Sequence, residues 1–242
     1  NERKHCFAPK RIRQIKESKM TRLILLAITF SSLLVSCLEN KPLPLPKLGN
    51  FDVIYHTKNG KVTTDTIYPK IPIFHYLNED SVSVSNKDFN NKVWIVEFFF
   101  AKCPTICPIM NNQLKKLLNE TEKLKDHIQV ISFTIDPKTD GPTQLKEYKI
   151  RNKITDKNWV FLTGDETQTH TLGIKNFLTF AGKDEDAAGG YAHSGSFTLV
   201  DKSGYVRGVY AVTNYDLTVN KVEYQRLIND VKNLLKYEYH VN

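Results

Sequence analysis

Eight consecutive residues, Val93-Trp94-Ile95-Val96-Glu97-Phe98-Phe99-Phe100, constrain this chain more than any other stretch. Apart from Glu97 they are apolar, aromatic or β-branched, and they lack the alternation of a strand with one wet face. Such a run fits a central strand covered on both sides, as in an α/β sheet between layers of helices. It runs directly into Ala101-Lys102-Cys103-Pro104-Thr105-Ile106-Cys107-Pro108, which places two thiols four residues apart.

The rest of the body supplies elements for such a sheet. Phe51 to Thr57 and Lys61 to Ile67 alternate around Asn59-Gly60, which predicts a β-hairpin. Ile71 to Phe74 and Ser81 to Val84 read as short strands. After the central strand, the pattern predicts a helix from Pro108 to about Leu124, a strand over Ile128 to Ile135 and a short helix after Pro142. A strand over Trp159 to Leu162 and a helix from about Thr167 to Leu178 follow. Ser196 to Val200 and Tyr205 to Val212 form a hairpin around Lys202-Ser203-Gly204, and a last amphipathic helix carries Val219 through Leu235. Parallel βαβ units followed by an antiparallel hairpin and a helix give an α/β, thioredoxin-like plan: a central mixed sheet flanked by helices, with an N-terminal β-hairpin. Sites in such sheets collect at the carboxyl ends of strands, where Cys103 and Cys107 lie.

The net charge of +8 suggests a polyanion ligand until it is located. Residues 1–22 hold eight basic and two acidic side chains, whereas from Cys37 onward there are 26 basic against 24 acidic. The basicity belongs to the leader, and the body has no excess that argues for nucleic acid. Within the leader, Met20-Thr21-Arg22 is a positive segment, Leu23 to Val35 an apolar run short for a bilayer span, and Leu34-Val35-Ser36-Cys37 resembles a bacterial lipoprotein signal. On this reading translation starts at Met20, residues 1–36 are leader, Cys37 is lipidated, and the body is extracytoplasmic, on the periplasmic side of a membrane. Residues 37–50, with Pro42, Pro44 and Pro46, read as an extended tether, and 51–242 as the folded domain.

Cys6 and Cys37 then drop out, and two cysteines four apart are no disulfide scaffold. At i and i+4 two thiols can close a disulfide or converge on one ion. The prolines suggest Cys103 at a helix N-cap with Pro104 at the first helical position, a stiff and partly unwound loop that favours thiolate. Thioredoxin-type oxidoreductases use one residue fewer between their cysteines. Two thiolates are soft donors suited to Cu(I), and imidazole would make a third. Among His56, His75, His127, His170, His193 and His240, His193 is best placed, because it follows Gly189-Gly190-Tyr191-Ala192 and precedes the hairpin strand at Ser196.

Three blocks, "FFFAKCPTICPIM", "FTIDPKTDGPTQLKEY" and "YAHSGSFTLVDKSGYVRGVY", together resemble the Sco/SenC family of copper-binding, thioredoxin-like proteins, over about Ile71 to Leu235. The resemblance implies Cys103, Cys107 and His193 as ligands of Cu(I) or Cu(II). It places Asp136, from Asp136-Pro137-Lys138-Thr139-Asp140, beside the copper as a weak ligand or a partner that orients one. The alternative is that Asp136 and Asp140 merely cap the turn before Pro142. It further implies a membrane-tethered metallochaperone whose partners are cytochrome c oxidase subunit II or its assembly factors. A thiol–disulfide oxidoreductase using Cys103 and Cys107 is the competing reading, and a structural zinc site lacks a convincing fourth ligand.

Overall fold

The computed structural model describes residues 41–187 and 189–241. The leader, its proposed start at Met20 and the lipidation site Cys37 lie outside the described residues. Among the described residues, no helix is long and apolar enough to cross a membrane.

Strands β1 (Asp52–Lys58) and β2 (Lys61–Ile67) form the expected hairpin as a separate two-stranded sheet. Asn59 (φ 53°) and Gly60 (φ 73°) supply the positive φ pair that a tight hairpin turn demands. The main sheet has seven strands. In chain order they are β3 (His75–Asn78), β4 (Ser83–Ser85), β5 (Val93–Phe99), β6 (Ile128–Thr134), β7 (Trp159–Thr163), β10 (Ser196–Val200) and β11 (Val206–Ala211), in the spatial order β11-β10-β5-β6-β7-β3-β4. β5, β6 and β7 are parallel and the rest pair antiparallel. Helices α1 (Ile106–Glu120), α2 (Pro142–Arg151), α3 (Glu166–Thr171) and α4 (Lys221–Asn233) connect or cover them. A small hairpin, β8 (Ala181–Lys183) with β9 (Tyr191–His193), stands apart from the main sheet.

β5 carries the logic of the core. Val93, Ile95 and Phe99 face the layer that contains Leu114, Leu117, Leu227 and Val231 of α1 and α4. Trp94, Val96, Phe98 and Phe100 face the other layer, with Phe74, Tyr76, Phe133 and Phe177. A strand so placed has no polar face to spare, and this is why its sequence does not alternate.

Glu97 breaks that rule and is only 1% exposed. It shares the parity of Ile95 and Phe99. Its Oε1 accepts from Ser132 Oγ at 2.6 Å, and Ser132 Oγ accepts from Trp159 Nε1 at 2.8 Å, so one polar string crosses β5, β6 and β7 inside the apolar layer. Burial pushes the Glu97 carboxyl up from 4.5 to about 7. The folded state therefore holds a proton that the unfolded chain has released between those values. Stability should fall as pH rises from about 4.5 to about 7, by roughly 3 kcal/mol from this group. Urea unfolding at both ends of that window is expected to show Glu97→Gln gaining on the wild type by this amount; parallel pH slopes for the two proteins would refute it.

The structure differs from the sequence expectation in four places. Ile71–Phe74 is not a strand; pairing with β7 begins after it, at β3. The helix expected from Thr167 is α3 followed by one wide π turn over Leu172–Asn176. The β8–β9 hairpin was not foreseen, because three-residue strands carry no readable period. Finally, the proline-rich tether is extended but not free. From Pro42 the chain belongs to the compact unit, and Leu48 bridges to Val206. Arg207 donates from Nε to the Pro46 carbonyl at 3.2 Å and from Nη2 to the Leu45 carbonyl. Polyproline-type chain makes no internal hydrogen bonds, so its carbonyls stay open to such a donor.

Candidate metal centre

β5 delivers the cysteine loop to the end of the sheet. Beyond Phe99, Cys103 N donates to the Phe100 carbonyl at 3.1 Å and closes a turn. α1 then begins at Ile106, with Thr105 as its N-cap, two residues later than the prolines suggested. Pro108 explains the delay: in a helix begun at Pro104 its ring would press on the carbonyl four residues back, whereas in the first turn it sacrifices only an N–H that has no helical partner. Cys103 therefore stays in the loop, half-buried, and Cys107 enters the first turn, 2% exposed.

β9 brings the third group. Its last residue is His193, whose Nε2 lies 3.1 Å from Cys107 Sγ. Nδ1 lies 3.3 Å from the Ser194 carbonyl, which as acceptor keeps the proton on Nδ1 and leaves the Nε2 lone pair directed at the thiols. Phe100 packs edge-on against the imidazole, with centroids 6.0 Å apart. Gly195, just after this strand, has no room for a side chain: a Cβ would lie 2.7 Å from Ile106 Cδ1 and 2.8 Å from Thr213.

One ligand atom from each of Cys103, Cys107 and His193 lies within 4.8 Å of the other two, and this is the one such cluster of metal-ligating residues among the described residues. The two thiols differ in environment. The Cys107 thiol and His193 hold Cys103 well below the ordinary thiol value despite partial burial, whereas burial pushes Cys107 well above it. The exposed member is thus the thiolate and the buried member the thiol. The other described histidines are not part of the cluster; His170, for one, bonds the Ile135 carbonyl at 2.8 Å, and His56 pairs with Asp65 on the hairpin.

Asp136 is not part of the cluster. Its Oδ1 accepts from Tyr191 OH at 3.2 Å, and the same hydroxyl reaches Glu166 Oε1 at 3.0 Å. Asp136 therefore touches the strand that carries His193 rather than the ligand atoms. Neither aspartate caps α2 through its side chain, since that helix starts on Gly141. Asp140, read from sequence only as a turn residue, has a more direct hold: its Oδ2 accepts from Ala101 N at 2.8 Å and from Thr134 Oγ1 at 2.6 Å, pinning the start of the cysteine loop to β6. The sequence signal for it was the second aspartate of the Asp-Pro-x-x-Asp segment. Asp140→Ala is expected to cost about 2 kcal/mol of stability, because a buried hydroxyl and amide lose their acceptor, and to lower metal affinity about 10-fold or more. Asp136→Asn should change affinity less. Equal effects of the two in a chelator competition would refute that ordering.

A groove of about 340 Å³ opens beside the cluster, walled by Phe100, Ile106, Tyr191, Tyr215 and Leu217, with Cys103 and His193 in its lining. The arrangement is two soft sulfurs and one imidazole, open on one side. It can hold a soft ion that a partner can reach, or it can pass electrons through the thiol pair.

The family described as SCO1/SenC matches residues 64–226. A SCO1/SenC family lipoprotein from Bacillus anthracis str. Ames superposes with a TM-score of 0.60 at 30% identity, covering 68% of this chain and 94% of that one. BsSco, described as a member of the Sco family of cytochrome c oxidase assembly proteins in which a disulfide switch was identified, gives 0.57 at 31% identity, over 68% of this chain and 92% of that one. Yeast Sco1 with copper bound shares the fold, with a TM-score of 0.54 at 23% identity, over 71% and 94% of the two chains. With its matched span running from the hairpin into the last helix and enclosing all three clustered residues, the chain belongs to the SCO1/SenC family.

Proposed function

We propose that this protein is a membrane-tethered copper metallochaperone that holds Cu(I) or Cu(II) on Cys103, Cys107 and His193. The observation that carries this reading is the convergence of two sulfurs and one imidazole within 4.8 Å at the open end of the sheet. Cu(I) favours such soft donors, and among the described residues no fourth metal-ligating side chain joins the three to close a structural zinc site. Copper bound in the family member from yeast supports the same ion. Copper needs both cysteines reduced, so loading and thiol redox state are linked. The half-exposed Cys103 and the groove let a partner's donors enter before the ion leaves. That partner is cytochrome c oxidase subunit II or an assembly factor acting on its binuclear copper centre, in line with the role stated for BsSco. Lipidation of Cys37 would anchor the protein on the periplasmic side, as a lipoprotein like the B. anthracis relative.

Thiol–disulfide exchange is the second reading. What favours it is the asymmetry of the pair, an accessible thiolate at Cys103 and a buried thiol at Cys107, which suits an attacking and a resolving sulfur. Copper loading of the oxidase in a strain lacking this protein separates the two. Delivery predicts rescue by added copper. Rescue by reductant alone would overturn delivery in favour of thiol chemistry.

A further inference from the structure

From Cys37 onward the chain is nearly neutral, yet the fold gathers an excess of base at one end. β5, β6 and β7 are parallel and start at one pole. The turn between β10 and β11 lies at that same pole, since Val200 pairs with Trp94. Lys123 precedes β6, Lys153 and Lys157 precede β7, and Lys47 and Lys70 stand 4.0 and 5.1 Å over the ring of Tyr205 in that turn. These make five exposed lysines. Of the acids at this end, Asp201 and Glu238 are taken by Arg207, Glu122 by Lys125, Glu79 by Lys149, Asp80 by Lys146 and Glu120 by Lys116. Asp126 and Asp156 offset only part of the excess. The opposite pole holds the metal cluster and has no such excess of base: Asp136 follows β6, Asp165 and Glu166 follow β7, and Asp184, Glu185 and Asp186 lie between β8 and β9, against Lys102, Lys138, Lys183 and Lys221, with Lys138 and Lys183 both paired to Glu166.

The chain enters at the basic pole. Lys41 is four residues past Cys37, which limits their separation to roughly 14 Å. The segment is fastened by Leu48 and by the Arg207 contacts to Leu45 and Pro46. An anchor at Cys37 therefore holds this pole within a few Debye lengths of the lipid, close enough for lysines to feel anionic headgroups. We propose that the pole formed by Lys47, Lys70, Lys123, Lys153 and Lys157 rests on an anionic lipid surface and directs Cys103, Cys107 and His193 away from the membrane. The metal end, where acids and lysines offset one another, has no comparable attraction to that surface, so charge favours one of the two orientations. Single lipid anchors gain stability from a basic patch acting as a second attachment. The proposal rests on the anchored reading of the leader given above.

The test uses the full chain reconstituted into vesicles of phosphatidylcholine, with or without about 30 mol % phosphatidylglycerol, and reads lysine acetylation rates by mass spectrometry. Lys47, Lys70, Lys153 and Lys157 are expected to react at least about threefold more slowly on the anionic vesicles, and to recover at about 1 M salt. Lys138 and Lys221, at the metal end, should react equally on both. In a folded variant carrying Lys47→Glu, Lys70→Glu, Lys153→Glu and Lys157→Glu, protection of Lys123 should vanish. Equal rates on the two vesicle types, for a chain that floats with both, overturn the orientation while leaving the anchor intact. Protection on neutral vesicles that grows with protein density would assign the pole to a second copy and likewise overturn it. A chain that floats with neither composition overturns the anchored reading itself, and this proposal with it.

Discussion

Replacing Cys107 by serine is expected to lower copper affinity by at least about 100-fold while leaving the fold intact. The bound rests on a comparison: loss of a group that merely supports a ligand costs about 10- to 100-fold, and loss of a ligand should exceed it. Serine occupies nearly the same volume, and its hydroxyl can donate to His193 Nε2, which sits 3.1 Å from the present sulfur. Its oxygen is a hard donor that does not ionise near neutral pH, so a soft ion loses half of its sulfur ligation. Cys103→Ser should have an effect of the same order, for the same reason. His193→Ala should cost less, because it removes one neutral donor and leaves both sulfurs. Chelator competition on the reduced protein, with circular dichroism as a check on folding, measures all three. Unchanged affinity in all three variants would remove the site from these residues altogether.

Arg207→Met is the second substitution with a large expected effect, and its consequence is on stability. The Arg207 side chain is 5% exposed. Its Nη1 donates to Asp201 Oδ2 at 2.9 Å and its Nη2 to Glu238 Oε2 at 2.7 Å, besides the carbonyls of Leu45 and Pro46. Asp201 is itself buried, and its Oδ1 shapes the β10–β11 turn by accepting from Ser203 N and Tyr205 N at 2.9 and 3.0 Å. Methionine fills the volume and removes the charge, so Asp201 is left buried without its cation. Breaking a buried pair from one side costs about 3–5 kcal/mol. The same change releases the carbonyls of the proline-rich segment. Two readouts follow: a lower urea midpoint, and faster tryptic cleavage after Lys47. A variant with the wild-type midpoint would show that the network is energetically neutral, and slow cleavage with a lowered midpoint would show that the Leu48 bridge to Val206 and the Leu45 N–H to Glu238 fasten the segment without Arg207.

How much of this was readable from residues alone depends on the range of the interactions involved. The central strand announced itself because eight residues without a wet face have few other places to go. Asn59-Gly60 announced its turn because only certain residues accept positive φ without strain. The two cysteines were visible as a pair since their spacing is local, and the resemblance of three blocks supplied His193. Composition could not, because five other histidines within residues 51–242 competed.

What required the folded chain was every relation between distant segments. Whether His193 returns to Cys107, 86 positions earlier, is decided by how β9 and the helices stack against β5. Asp140 became a support of the cysteine loop only once β6 lay beside β5, since a carboxylate and an amide 39 positions apart carry no common periodic signal. Proline-rich sequence specifies an extended backbone, as expected for the tether, but not what its open carbonyls meet. The separation of charge had the same origin. Sequence set the near-equal totals of acid and base, a sum that ignores position. Parallel strands and antiparallel helices then sent one set of connections to each end, and only that topology decided which charges shared a pole.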